Sequence, residues 1–131
     1  MNQIAITHTQ WQPICQRSDL VADSGVCVLT GDRTLRTVSA APKSIALFFI
    51  PHAEPQLYAI DNWDPLAGAG VIARGLLAEI DGELTVASPL YKHHYRLRDG
   101  ICLEDNSVRL GTYAAAFDGD KVLIATEPGN H

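Results

Sequence analysis

The 131-residue chain is 47% hydrophobic, enough for one ordinary domain with a single core and too little for two. Its 15 acidic residues outnumber its 10 basic ones, giving a formal net charge of −5 at pH 7, so no basic field points to nucleic acid or to an anionic membrane surface as a partner. No apolar run approaches the roughly 18 residues of a spanning helix, and Met1–Gln10 has neither the basic start nor the apolar stretch of a signal peptide, so a soluble cytoplasmic protein is expected.

The elements follow from short apolar runs broken every few residues by Gly, Pro, Asp or Asn, the spacing of an all-β sandwich or barrel rather than of helices. Trp11 to Cys15 and Gly25 to Leu29 are strand candidates expected to pair with the last strands of the chain, with a short turn at Asp19 to Ser24. Ser44 to Ile50 (SIALFFI) and Gln56 to Asp61 (QLYAID) read as a hairpin across Pro51-His52-Ala53-Glu54-Pro55, whose prolines cannot sit in a central ladder. Asp81-Gly82, Asp99-Gly100 and Asp118-Gly119 mark three more hairpins, because Asp and Gly tolerate the positive φ of tight turns. Their arms are Leu76 to Ile80 with Glu83 to Ala87, Tyr95 to Arg98 with Ile101 to Leu103, and Leu110 to Phe117 with Lys121 to Ala125. Glu127 to His131 reads as a frayed tail. The cysteines Cys15, Cys27 and Cys102 are widely spaced and odd in number, which argues against a disulfide framework or a CxxC knuckle and for three small buried apolar residues.

Two Pro-containing loops follow strands and carry polar groups: Asp64-Pro65-Leu66-Ala67-Gly68-Ala69-Gly70 and Ser88-Pro89-Leu90-Tyr91-Lys92-His93-His94-Tyr95. Paired loops at one end of a barrel are a common place for a site. In this stretch the chain resembles the Rieske iron–sulfur domain, in which one loop supplies Cys-x-His and a second Cys-x-x-His, with Cys on one iron and His on the other. Asp64-Pro65-Leu66 stands where Cys-Pro-His would be and Ser88-Pro89-Leu90-Tyr91 where Cys-Pro-x-His would be, so Asp64, Leu66, Ser88 and Tyr91 occupy degenerate ligand positions. The frame around them persists in Asn62 and in Tyr95-Arg96-Leu97-Arg98-Asp99-Gly100-Ile101-Cys102-Leu103.

A closer resemblance is to the small subunit of the assimilatory NADH-dependent nitrite reductases, carried by Asp61-Asn62-Trp63-Asp64-Pro65, Val71 to Leu77, Val86-Ala87-Ser88-Pro89-Leu90-Tyr91-Lys92 and Leu97 to Asp105, with weaker agreement from Trp11 through Gly25-Val26-Cys27. The resemblance implies a single Rieske-like domain over residues 1–131, an antiparallel β-sandwich or barrel built from hairpins and lacking its own cluster. It further implies an accessory role beside a large subunit that holds FAD, sirohaem and an iron–sulfur cluster and reduces nitrite to ammonium in nitrate assimilation. Nothing in these residues carries a motif for flavin, nicotinamide, haem or a cluster, so no catalytic residue is expected in this chain. The alternatives are a 2Fe–2S electron carrier with unusual ligands and a ligandless Rieske-fold interaction module for another enzyme.

Other readings are weaker. His93 and His94, with His52 and Asp64, are ligand types for zinc or iron, but adjacent residues on a strand face opposite ways, so one solvated and one partly packed imidazole are expected. Ser88, His93 and Asp64 contain the residue types of a hydrolase triad without a nucleophile elbow or an oxyanion hole; Ser88 is expected to fill the space of a lost ligand and bond to nearby backbone. Ala67-Gly68-Ala69-Gly70 lacks the helix and the Lys-Ser/Thr pair of a phosphate loop, and Arg74 is expected to pair with Asp61 or Asp64 or to meet a partner. Asp64, Pro65, Tyr91, Lys92 and His93 form the expected partner-docking set, because an aromatic beside a cation is typical of contact surfaces.

Overall fold

The computed structural model describes residues 10–30 and 43–126; the tail 127–131 lies outside the described residues. Among the described residues the fold is all-β, its helical pieces being two three-residue 3-10 turns at Arg17–Asp19 and Ile72–Arg74. The strands are β1 (Gln10–Gln16), β2 (Ser24–Leu29), β3 (Ser44–Phe49), β4 (Leu57–Asp61), β5 (Trp63–Asp64), β6 (Ala69–Gly70), β7 (Leu76–Ile80), β8 (Glu83–Ala87), β9 (His94–Arg96), β10 (Thr112–Asp118) and β11 (Lys121–Thr126). Six of them form one antiparallel sheet in the order β1-β11-β10-β4-β3-β2, which curls until β1 approaches β2. The remainder form a three-stranded sheet, β7-β8-β9, and the small ribbon β5-β6.

Strand β3 explains why the fold has two packed layers. Its run Ile45-Ala46-Leu47-Phe48 is wholly buried, and the pleat sends alternate residues to opposite faces. Ile45 and Leu47 meet Val122 and Ile124 inside the curled sheet, whereas Ala46 and Phe48 meet Val86, Tyr95 and Leu97 from the three-stranded side. At roughly 1.5–3 kcal/mol for each large apolar side chain fully buried, this two-faced strand is the main link between the layers.

The expected hairpins form at Pro51–Pro55 and at Asp81-Gly82, where Asp81 and Gly82 both adopt positive φ. At Asp118-Gly119 the ladder closes on Asp118 opposite Lys121, with Gly119 at positive φ as the first of two loop residues. Three expectations need correction. Strand β1 does pair with the last strand, but β2 pairs along its whole length with β3, because the doubly buried β3 requires a neighbour on each edge and β4 covers just one. The hairpin at Asp99-Gly100 forms with a shorter arm than expected: Gly100 N–H donates to the Arg96 carbonyl (2.7 Å), so Leu97 to Gly100 form the turn, and Tyr95 lies opposite Cys102 between the bonds Arg96 N–H to the Ile101 carbonyl and Leu103 N–H to the His94 carbonyl, while Ile101 also bridges Arg109. Cys102 is buried and Cys15 half-buried, but Cys27 is exposed on the edge strand β2, its Sγ 3.2 Å from Ser44 Oγ.

Register across the large sheet fixes which segments share an end. Gln10 lies opposite Thr126, Thr112 opposite Ile60, Ile45 opposite Asp61 and Leu29 opposite Ser44, so these positions line one end. From that end Asp61 runs through Asn62 into the first loop. Asn62, buried, secures the exit: its backbone N–H donates to the Ser44 carbonyl, its Nδ2 to Ser44 Oγ (3.1 Å), and its Oδ1 accepts the Ala73 N–H (2.7 Å). The turns at 51–55, 81–82 and 119–120 lie at the opposite end.

Candidate functional site

The loops 64–70 and 88–93 meet at a single carboxylate. Asp64 is completely buried, and its two oxygens accept hydrogen bonds from both loops and from β9. Oδ1 accepts from Tyr95 OH at 2.7 Å and from the Leu66 and Ala67 backbone N–H groups at 3.1 and 3.4 Å. Oδ2 accepts from Ser88 Oγ at 2.7 Å, and His93 Nε2 approaches Oδ2 at 3.0 Å and Oδ1 at 3.2 Å. The second loop closes on itself through Ser88 N–H to the His93 carbonyl (2.9 Å), and the first through Gly68 N–H to the Asp64 carbonyl (2.7 Å).

The electrostatics follow from this donor set. Burial alone raises the Asp64 carboxyl, but hydrogen bonds from Ser88, Tyr95 and His93, aided by the charge of His93, outweigh it and hold the group below the ordinary carboxylate value. Burial pushes the Tyr95 hydroxyl well up, and its bond to the Asp64 carboxylate adds to the effect, so Tyr95 stays a donor. Rings cover the assembly: Tyr91 stacks on His93 with centroids 6.0 Å apart, and His93 meets Tyr95 edge-on at 5.3 Å.

The four positions expected from sequence to be degenerate ligand positions therefore divide into two kinds. Asp64 and Ser88 are buried and bonded to each other across 24 residues of sequence, whereas Leu66 and Tyr91 are exposed at the surface. Ser88 does not rest mainly on backbone as expected; its hydroxyl is committed to Asp64 and receives a long contact (3.4 Å) from the Leu90 N–H. The expected docking set is corrected in the same way: Asp64 and His93 are buried because each is the other's hydrogen-bond partner, leaving Pro65, Tyr91 and Lys92 exposed. Arg74 is exposed and makes no ion pair among the described residues, since Asp61 instead accepts from Gly111 N–H (2.9 Å) and Tyr113 OH (2.6 Å).

This arrangement does not fit a Rieske 2Fe–2S cluster. The family's pattern needs two thiolates and two imidazoles; here the four positions hold a carboxylate already saturated by donors, an alkyl side chain, a hydroxyl and a phenol. Among the described residues no group of three or more His, Cys, Asp and Glu is placed to hold a metal ion. His93 and His94 face apart, as adjacent strand residues should: His93 turns to Asp64, and His94 Nδ1 turns to Glu104 (2.7 Å). His93, expected to be solvated or only partly packed, is the buried one. Hydrolytic chemistry is equally unsupported, because Asp64 lies between Ser88 and His93. The imidazole does not contact the Ser88 hydroxyl, and the low-pKa carboxylate that does is a poor base.

Sequence reasoning missed two members of the network, Tyr95 and His93 as inward donors. The signal was available in the alternation His93, Tyr95, Leu97, all buried on one side of β9 and its flanks.

Residues 10–125 match the family described as Rieske-like [2Fe-2S] domain. The chain is 41% identical over 107 residues to the nitrite reductase (NADH) small subunit of Escherichia coli (strain K12), covering 82% of this chain and 89% of that protein. It superposes on the NMR structure of the Escherichia coli protein NirD with a TM-score of 0.74 at 38% identity, covering 90% of this chain and 97% of the other. It is also 32% identical over 123 residues to the nitrite reductase [NAD(P)H] large subunit of Klebsiella oxytoca; that match takes in 94% of this chain but 12% of that much longer one.

Proposed function

Because this chain belongs to the Rieske-like [2Fe-2S] domain family and, within it, to the small subunits of NADH-dependent nitrite reductase, we propose that it is a cytoplasmic accessory subunit that docks on a large catalytic subunit and carries no cluster of its own. The observation that carries the assignment is the 41% identity to the Escherichia coli small subunit over 82% of the chain. The reading without a cluster rests on the loops themselves. A Rieske domain joins its two loops through iron and sulfide, and here the Asp64 carboxylate joins the same two loops through Ser88 Oγ, His93 Nε2 and Tyr95 OH.

Reduction of nitrite to ammonium in nitrate assimilation consumes six electrons and needs redox groups for which these residues have no binding motif, so the proposal assigns FAD, sirohaem and the iron–sulfur cluster to the large subunit. This chain's part is to present a rigid tip. Pro65 and Leu66 on the first loop and Leu90, Tyr91 and Lys92 on the second are all exposed, the two loops being joined at Asp64, and Lys92 makes no ion pair among the described residues. An apolar cluster with an aromatic and a cation has the composition in which interface energy concentrates.

Co-expression with the large subunit tests the assignment. The chain should co-elute with it, and adding the chain to large subunit purified alone should raise nitrite-dependent NADH oxidation. A large subunit that neither retains the chain nor responds to it contradicts the proposal. Within that experiment the double variant Tyr91→Ala with Lys92→Glu should melt normally, since both side chains are exposed, and lose co-elution.

A further inference from the structure

The exposed apolar surface is concentrated at one end of the domain and extends beyond the two loops. Nine large hydrophobic side chains are exposed among the described residues. Trp63, Leu66, Leu90 and Tyr91 lie on or beside the loops, and Leu76 and Leu103 flank the second loop through the Leu76–Ala87 pair and the bond from Leu103 N–H to the His94 carbonyl. Trp11 and Leu29 stand on the large sheet at the same end, next to the positions Gln10 opposite Thr126 and Leu29 opposite Ser44. Val21 is the exception; its neighbour Ala22 bridges Phe49 at the far end.

Charge is divided the same way. Among the described residues the exposed acids Asp23, Asp81, Asp118 and Asp120 stand at the far end with the cations Arg17 and Lys121, whereas the apolar end carries the exposed cations Lys43, Arg74 and Lys92 with the acids Glu104 and Asp105, which leaves the apolar end the less acidic of the two.

The chain also enters and leaves the large sheet at this apolar end, because β1 begins at Gln10 opposite the last residue of β11, Thr126. In the Klebsiella oxytoca large subunit a stretch matching nearly all of this domain is part of the large chain itself. A domain of this topology held inside a longer chain is tethered to the rest of that chain at the end where its outer strands begin and finish.

We propose that the whole apolar end, from the tip loops across to Leu29 and Trp11, is one continuous docking face for the body of the large subunit, and that its complement there is an apolar surface rimmed by carboxylates. This rests on the accessory-subunit reading above and extends it from the tip to the end of the sheet. The same face then serves whether the two partners are separate chains or one.

Three variants of the full chain with one charge change, Leu29→Glu, Trp63→Glu and Val21→Glu, are titrated against purified large subunit, with melting curves to confirm folding. Leu29→Glu and Trp63→Glu should each weaken binding by about tenfold or more, and Val21→Glu should bind as the unaltered chain does. Hydrogen exchange of the unaltered chain, free and bound, should show slowing at 28–30 and 63–66 and none at 21–23. Normal binding by the Leu29 and Trp63 variants, or equal loss in the Val21 variant, overturns the docking face while leaving the accessory reading intact. Failure of the unaltered chain to bind the large subunit overturns both.

Discussion

The Asp81-Gly82 hairpin and the loop pair 64–70 and 88–93 reverse the chain at opposite ends of the domain by different physics. The hairpin is held by its own backbone, with Asp81 at φ 51 and Gly82 at φ 80 giving the right-handed twist that flanking strands demand. Each tip loop has one closing backbone bond of its own, and the two are joined through a buried carboxylate whose side-chain donors come from 24, 29 and 31 residues away. Two loops that do not close by their own dihedrals are thus held together by one polar group, provided that it is buried with all its partners.

The largest effect should come from removing the shared group. Asp64→Ala leaves Ser88, His93 and Tyr95 buried without their acceptor and should cost about 3–5 kcal/mol, the range for breaking a buried charged network. Denaturant unfolding checks this. A loss below about 1 kcal/mol, the value of an ordinary exposed pair, would show that the loops hold themselves as the hairpins do.

Next comes a turn that borrows from a neighbour. Gly100 has φ 77, and a Cβ there would collide with the Leu110 carbonyl oxygen. Gly100→Ala should therefore cost about 3 kcal/mol, combining left-handed strain with a backbone clash. Gly82→Ala meets nothing within 4 Å at φ 80 and should cost about 1 kcal/mol. Equal melting temperatures for the two variants would contradict the distinction between a turn locked by contact and one locked only by its own dihedrals.

Between those values, Tyr95→Phe removes one donor while Ser88 and His93 remain, and a loss of about 2 kcal/mol is expected for a buried bond to a charged acceptor. The smallest effect is the acid response. Because the Asp64 carboxyl is held below its ordinary value when folded, the stability it contributes is fully present above about pH 4 and is lost as pH falls through the lower folded value. Asp64→Asn lacks this titration, so its stability should fall less steeply below about pH 4 than that of the unaltered chain. Parallel curves would place the acid sensitivity elsewhere, for example at Asp99, which Arg96 holds below the usual carboxylate value.

The two ends also differ in how far they could be read from sequence. Asp-Gly pairs and prolines report local dihedral requirements, so the hairpins at 51–55, 81–82 and 118–119 were legible, as was the all-β class. The pairing of β2 was not, because its alternating pattern fits more than one edge and the choice depends on β3 being buried on both faces. At the tip the residues were legible and their environment was not. Asp64 and His93 are polar and loop-borne, which suggests exposure; they are buried because Ser88 and Tyr95 converge on the same carboxylate from the far loop and β9. Leu66 and Tyr91 point outward for the complementary reason, since the carboxylate already fills the space between the loops.

The proposal that an internal carboxylate network stands where Rieske domains hold iron and sulfide is tested most directly by the iron content of the chain purified without oxygen, read with its visible absorption spectrum. A colourless protein without stoichiometric iron is expected, its melting temperature unchanged by chelator. About two irons per chain with visible absorption bands would contradict it.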